Sequence, residues 1–297
     1  MAKNKNLHSA KNKKNDEFYT QLSDIEKELQ YYTQYFEDKV VFCNCDDPEE
    51  SNFWNYFALN FEHLKLKKLI SIHYETTKPS YKLEITKGID LNGDGKINKL
   101  DTVKTPLKQN GDFRSPECIE ILKEADIVVT NPPFSLFREY IAQLMEYNKK
   151  FLVLGSQNAI TYKEIFSLIK NNKLWLGVSL DGRNIWFRIP NSYKKFHKME
   201  NGIKYAFVAG TIWWTNLEHE KRSKDITLYK KYNSKEYTKY DNYDAIEVAK
   251  VKEIPEDYQG VMGVPITFLH KYSPTQFEIL GMSASAGYDK NIVGIPF

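Results

Sequence analysis

A chain of 297 residues, 27% charged and 41% hydrophobic, has the ordinary balance of a globular protein and can bury a core without covalent staples. Cys43, Cys45 and Cys118 are too few for a disulfide framework and have no histidine or cysteine at zinc spacing, so they read as reduced thiols packed like small hydrophobes. The net charge is only +3, no apolar run approaches the roughly 20 residues of a membrane span, and the Lys-rich start has no secretory h-region; the expectation is a soluble, cytoplasmic protein without membrane association.

Residues 1–15 are basic and aperiodic and read as a disordered arm. Ile25, Leu29, Tyr32 and Phe36 recur at helical spacing and predict a helix from about Asp16 to Asp38. Val40 to Asn44 reads as a buried strand. A helix follows from Ser51, a suitable N-cap, to Leu66, and a strand from Lys68 to Tyr74. Ser115-Pro116-Glu117 opens the next helix with a capping hydroxyl, a proline at the first helical position and an acid at the positive end of the dipole. It ends near Ala125. The strand Ile127-Val128-Val129 stops at two prolines, which cannot continue a central ladder. A helix over Leu136–Tyr147, a strand over Phe151–Leu154 and a helix over Tyr162–Lys170 complete the alternation. This pattern predicts an α/β fold: a Rossmann-like parallel sheet with helices on both faces and ligands at the carboxyl ends of the strands.

Beyond Trp175 the pattern changes. Ile185–Ile189, Tyr205–Trp214 and Ile226–Lys230 read as strands between polar loops, so residues 16–175 are taken as the catalytic domain and 176–297 as a β-rich recognition portion. Lysine groups near the start, at Lys194, Lys195 and Lys198, and at Lys221, Lys224, Lys230 and Lys231 are interleaved with tyrosine and tryptophan, a composition suited to phosphate contact.

Asn131-Pro132-Pro133-Phe134 falls between a buried strand and a helix. Taken alone it could be a proline-rich turn with a capping asparagine. At a carboxyl strand end it has a more specific use. An adenine amino group is a poor nucleophile because its lone pair is delocalised into the ring. An amide oxygen and a backbone carbonyl that each accept one amino hydrogen favour a pyramidal nitrogen with its lone pair aimed at a methyl donor. The prolines fix the carbonyl, and Phe134 can stack on the base.

A second pattern lies between the second strand and the helix at Ser115. Asp90, Asn92, Asp94, Asn98 and Asp101 occupy positions 1, 3, 5, 9 and 12 of a loop with glycine at position 6, the spacing of a structural calcium site. The alternative is a hairpin turned by Asn-Gly and Asp-Gly. The flanks, within the insertion 81–107, look extended.

The longer strings resemble the EcoRI-type family of adenine-specific DNA methyltransferases: Asn15-Asp16-Glu17-Phe18-Tyr19-Thr20, Cys43-Asn44-Cys45-Asp46-Asp47-Pro48, Gly111-Asp112-Phe113-Arg114-Ser115, the run Ala125–Leu144 and Gly260–Leu269. The resemblance implies S-adenosylmethionine as cofactor, double-stranded DNA as partner, a flipped-out target adenine, a link to a restriction-modification system, and action as a monomer. It implies catalysis by Asn131, Pro132, Pro133 and Phe134. Phe18, Tyr19 and Thr20 would lie over the cofactor's methionine part, Asp46 or Asp47 would pair with its amino group, and Glu75 would hold the ribose. Asp112 and Phe113 would bind its adenine. The family pattern of methyltransferases departs here in one respect: no glycine-rich loop follows Val40 to Asn44. Two alternatives share the same residues, an RNA or protein-glutamine methyltransferase and a silent DNA- or calcium-binding protein; the intact tetrapeptide argues against silence.

Overall fold

The computed structural model describes residues 18–45, 47–75, 80–180, 185–241 and 243–282. The expected N-terminal arm and Asp46 lie outside the described residues. In chain order the elements are α1 (Leu22–Leu29), β1 (Val40–Cys43), α2 (Asn52–Leu59), β2 (Lys68–Ile72), β3 (Tyr81–Thr86), β4 (Val103–Pro106), α3 (Pro116–Glu124), β5 (Ile127–Thr130), α4 (Phe137–Glu146), β6 (Lys150–Ser156), α5 (Lys163–Lys170), β7 (Trp175–Leu176), β8 (Ile185–Ile189), β9 (Lys198–Glu200), β10 (Ile203–Val208), β11 (Thr211–Thr215), β12 (Ala245–Glu247) and β13 (Val261–Gly263).

Two compact units share the chain. The larger comprises residues 1–159 and 177–217, the smaller 160–176 and 218–297. The segment 177–217, expected with the recognition portion, thus belongs to the unit that carries the central sheet.

In the larger unit seven strands lie in the order β4-β3-β2-β1-β5-β6-β11. The core β2-β1-β5-β6 is parallel, as expected. The sheet as a whole is mixed, because the insertion does not leave it: β3 pairs antiparallel with β2, and β4 with β3. At the other side β11 pairs antiparallel with β6. Consecutive side chains alternate across the sheet, and two adjacent tryptophans make this concrete. Trp213 meets Phe53 of α2 edge-on at 6.0 Å, while Trp214 meets Phe137 of α4 at 5.5 Å. The α1–α2 side is the aromatic core, built on the fully buried Tyr32, Phe36, Phe53, Trp54 and Phe57.

The long helices of the sequence reading break where local chemistry stops them. The first ends at Leu29 and resumes as a 3-10 turn over Thr33–Tyr35, because Tyr31-Tyr32-Thr33 is a run of poor helix formers. Ile25, Leu29, Tyr32 and Phe36 still share one buried face. The second ends at Leu59, where Asn60 donates its amide to the Tyr56 carbonyl at 2.8 Å. Both expected caps form: Ser51 Oγ accepts from Phe53 N at 3.1 Å and Ser115 Oγ from Cys118 N at 3.2 Å.

The loop at Asp90 closes on itself. Asp90 accepts from the backbone of Gly93 and Gly95, Asn92 from Asp94, and Asp94 from Lys96. Asn98 accepts from Leu100, and Asp101 from Leu91 and Asn98. Among the described residues no three His, Cys, Asp or Glu side chains are grouped to hold a metal. Nothing in this arrangement supports calcium.

A three-stranded antiparallel sheet, β8-β10-β9, completes the larger unit. In the smaller unit, α5 is followed by loops in which β12 and β13 form a short parallel pair. The strand expected over Ile226–Lys230 does not form, since the Gln276 amide takes both the N–H and the C=O of Ile226, at 2.7 and 2.9 Å. The longer strands of the portion expected to be β-rich, residues 176–297, thus lie at 185–215, and the described part of residues 218–297 is loop-rich, with β12 and β13 as its strands. Among the described residues no helix is long and apolar enough to cross a membrane.

One buried carboxylate ties the two ends of the larger unit together. Glu28 of α1 is fully buried; it accepts from the backbone N–H groups of Val178 and Ser179, at 2.8 and 2.6 Å, and from Tyr32 Oη at 3.0 Å. Burial raises its pKa. The folded protein then retains a proton that the unfolded chain releases, so stability falls as pH rises from the usual carboxylate range through the raised value. Glu28→Ala, which strands three buried donors, should cost about 3 kcal/mol in urea unfolding. Glu28→Gln should cost less and remove that pH slope; a slope unchanged in Glu28→Gln would assign it to another group.

Candidate active site

Strand order reverses at β1, with β2 on one side and β5 on the other, and this is where an open α/β sheet has a crevice at its carboxyl end. Three loops meet there, after β1, β2 and β5.

The loop after β5 begins at Asn131, which is 7% exposed, followed by the buried Pro132. Thr130, directly before it, accepts from Cys45 N at 3.3 Å and so joins the ends of β5 and β1. The Asn131 side chain is held at one end only. Its Nδ2 donates to the Phe18 carbonyl at 2.6 Å, which orients the amide. Its Oδ1 is buried and, among the described residues, has no hydrogen-bond partner. A buried acceptor without a donor costs free energy, and such an atom in a cleft is a candidate for ligand contact. Pro133 starts a 3-10 turn in which its carbonyl accepts from Leu136 N at 2.9 Å. Phe134 is partly buried against the aromatic core.

The Phe18 carbonyl is fixed from the other side. Tyr19 forms an antiparallel bridge with Arg188 of β8, with bonds of 2.8 and 3.0 Å. Phe18 packs on Phe187 at 5.6 Å and Gln21 Nε2 donates to the Trp186 carbonyl at 2.8 Å. The Arg188 guanidinium sits over the Tyr19 ring at 5.1 Å and pairs with Glu50. Asn52 Nδ2 donates to the Thr20 carbonyl at 2.7 Å. Thr20 Oγ1 is a second buried oxygen without a hydrogen-bond partner among the described residues.

The loops after β1 and β2 are joined by a histidine. Asp47, which caps its own loop by accepting from Glu49 N, lies 3.7 Å from His73 Nε2. His73 stacks on Tyr81 of the insertion at 4.8 Å, and Lys104 of β4 covers Tyr81 at 3.6 Å. Two residues on, Glu75 N donates to the Asn110 carbonyl at 2.8 Å. Gly111 follows with φ +80°, and a Cβ there would stand 2.1 Å from the His73 carbonyl oxygen. Only glycine lets this loop approach β2 so closely.

Asp112 and Phe113 enter the crevice from this turn. Phe113 is buried and meets Tyr140 of α4 edge-on at 5.1 Å; Tyr140, also buried, donates to Asn44 Oδ1 just after β1. Gln143 Nε2 donates to the Phe113 carbonyl at 3.1 Å. Asp112 is held by Arg114 in a two-point contact, Nε to Oδ1 at 2.9 Å and a terminal nitrogen to Oδ2 at 2.7 Å, which keeps its carboxyl below the usual range.

The sequence-based candidates thus fall into contacts that run along one sheet end. Phe18 joins Asn131, and Tyr19 and Thr20 follow it in the chain with contacts to Arg188 and Asn52; Asp47 joins the β2 end that leads to Glu75; Asn110 links Glu75 to the turn bearing Asp112 and Phe113. Sequence reasoning passed over Gly111, Arg114, Tyr140, Asn44 and Thr130 as site residues. Gly111 and Arg114 stood inside a matched string, and the asparagine after β1 offered a polar residue at a carboxyl strand end as a signal. The calcium-spaced residues take no part in these contacts.

The family model described as adenine-specific methyltransferase EcoRI matches residues 6–295. The chain is 52% identical to the type II methyltransferase M.EcoRI of Escherichia coli, over 94% of this chain and 89% of that one. It is 42% identical to the type II methyltransferases M.MgeORF184P of Mycoplasma genitalium and M.MpnI of Mycoplasma pneumoniae, in each case over 94% of this chain and 86% of the other. No solved structure matches the chain significantly.

Gly111→Ala should test the crevice directly. It places a methyl against the His73 carbonyl at a positive φ. Titration calorimetry with S-adenosylmethionine should show affinity reduced by about tenfold or more. Unchanged affinity would remove the Gly111 turn from the cofactor site.

Proposed function

The chain belongs to the family of adenine-specific EcoRI methyltransferases, and we propose how this DNA adenine methyltransferase works: Asn131 and the Pro132 carbonyl grip the amino group of an adenine turned out of double-stranded DNA. The observation that carries the proposal is the asymmetry of the Asn131 amide, tied at Nδ2 to Phe18 and open at the buried Oδ1. Accepting one amino hydrogen there relieves an unsatisfied acceptor and draws the nitrogen out of conjugation. The second hydrogen goes to the Pro132 carbonyl, the backbone acceptor adjoining Asn131, while the Pro133 carbonyl accepts from Leu136 within its turn. Held at both hydrogens, the nitrogen presents its lone pair, takes the methyl and sheds a proton to solvent. No strong base is required, since alignment and preorganised acceptors supply the rate enhancement. Phe134, next along the turn, gives the base an apolar face.

The crevice suits S-adenosylmethionine. Thr20 Oγ1 offers a buried hydroxyl without a partner, and Asp47 and Glu75 place carboxylates at the ends of β1 and β2 for the amino and ribose groups. Phe113 gives the adenine ring a buried aromatic neighbour, and Asp112, braced by Arg114, is a fixed acceptor for its amino group. Asp46 is assigned by resemblance alone. When bound, the cofactor supplies an electrophilic methyl group. The same reading places the enzyme in the cytoplasm, as a monomer with residues 176–297 in sequence recognition, and as the protective arm of a restriction-modification system. The loop around Asp90 has a structural role in it, with no ion.

Asn131→Ala should lower the rate of tritiated methyl transfer to mixed genomic DNA by about a hundredfold to a thousandfold while cofactor binding persists. Asn131→Asp keeps an acceptor and loses the donor to Phe18, so it should retain more cofactor affinity than activity. Wild-type turnover by Asn131→Ala would exclude the residue from catalysis. Millimolar calcium should leave the melting temperature unchanged, and Asp94→Ala should be nearly neutral; a rise with calcium that Asp94→Ala abolishes would restore a bound ion.

A further inference from the structure

The sheet β8-β10-β9 has one face in the core and one toward solvent. Phe187 pairs with Ala206, and both are buried with Ile185 and Ile189. Trp186 pairs with Phe207, Arg188 with Tyr205, and Tyr205 in turn with Lys198, so these five side chains share the opposite face. They form a continuous aromatic and cationic surface. Trp186 and Phe207 lie 5.0 Å apart, and the Lys198 ammonium is 4.6 Å from the Trp186 ring and 5.0 Å from that of Tyr205. Phe207 is 36% exposed. Beside them the exposed His197 accepts from Phe207 N through Nδ1 at 3.1 Å, which leaves Nε2–H as a donor in its neutral ring. The charge is one-sided. Residues 185–208 hold Arg188, Lys194, Lys195, Lys198 and Lys204 against the single acid Glu200, which pairs with Lys198 at 3.0 Å. Arg188 is taken by Glu50, so Lys194 and Lys195 carry the outward charge, with His197 beside them as a neutral donor.

Part-exposed rings among cations on an antiparallel sheet suit DNA opened at a turned-out base, where unstacked bases can pack on the rings and phosphates attract the lysines. A second copy of the same face would meet it cation to cation across a two-fold axis. The position also fits. β8 is the strand that bridges to Tyr19, and Phe18, next to it, holds Asn131.

We infer that the outer face of β8-β10-β9 is a DNA-docking surface of this enzyme, on which Trp186 and Phe207 stack on bases of the substrate and Lys194, Lys195 and His197 hold its phosphates. The inference rests on the methyltransferase reading and adds the surface that presents the DNA. It is tested with the full chain. Lys194→Gln/Lys195→Gln should bind a labelled mixed-sequence duplex more weakly, with a salt slope shallower by about 0.9 for each phosphate no longer neutralised. Trp186→Ala and Phe207→Ala should each raise the KM for genomic DNA by about tenfold, with cofactor affinity and saturated turnover near wild type. If an alanine variant fails to fold, the lysine variant, altered only at exposed loop positions, decides. Wild-type KM and salt slope in active variants would overturn the surface and leave the catalytic reading intact. A wild type that methylates no DNA would sink the catalytic reading itself. A wild-type dimer that Trp186→Ala dissolves in sedimentation would overturn the inference by giving the face to a second copy.

Discussion

In the proposed mechanism the Asn131 amide performs two tasks at once, and the surrounding contacts are arranged so that it can. Its nitrogen is anchored to the Phe18 carbonyl, so the oxygen cannot rotate away from the crevice. Were both ends bonded internally, the residue would be a satisfied turn asparagine. Were neither bonded, the side chain would lose its orientation, and reaching the productive geometry would cost conformational entropy with every substrate. The open oxygen is a local instability that the surrounding fold maintains, which is common where chemistry requires a prepared acceptor.

The anchor is only as firm as the segment that carries it. Phe18 and Tyr19 lie outside the central sheet and gain their position from β8, through the Tyr19–Arg188 bridge and the packing of Phe18 on Phe187. Earlier in the chain than β8, Val178 and Ser179 are held by Glu28, whose carboxylate receives their N–H groups. A carboxylate buried beneath backbone donors is costly unless all its partners are present. It therefore favours one register of the 177–179 segment over its alternatives. Residues some 150 positions apart in the chain meet in these bonds.

How much of this was legible in the sequence follows from the range of the forces involved. The alternation of apolar runs reports burial, and it located the parallel core, the Ser51 and Ser115 caps and the place of Asn131 at a carboxyl strand end. It could not show that Tyr81–Thr86 and Val103–Pro106 extend the same sheet, because an antiparallel edge needs a partner distant in sequence. Periodicity at Ile25, Leu29, Tyr32 and Phe36 identified a shared face and overstated the helix, since burial is read by position and helix continuity by local propensity. The strand expected at Ile226–Lys230 failed because a single glutamine side chain, Gln276, claimed the backbone groups a ladder would have used. Resemblance named Phe18, Thr20 and Phe113; their contacts depend on side-chain geometry that no spacing rule contains.

The missing glycine-rich loop after β1 has a structural answer. Such a loop lets backbone approach a ligand closely at the first strand end, and here that end carries Cys45, Asp47 and Pro48. The close approach is made one strand over. Gly111, at a positive φ and against the His73 carbonyl, brings the Asp112–Phe113 turn in beside β2. The end of β1 is closed instead by side chains, with Tyr140 on Asn44 and Thr130 on Cys45. Burial pushes the Tyr140 phenol well above its usual range, so it remains a neutral donor and a lasting part of the wall. Side-chain hydrogen bonds thus shape the end of β1, while Gly111 sets the turn beside β2.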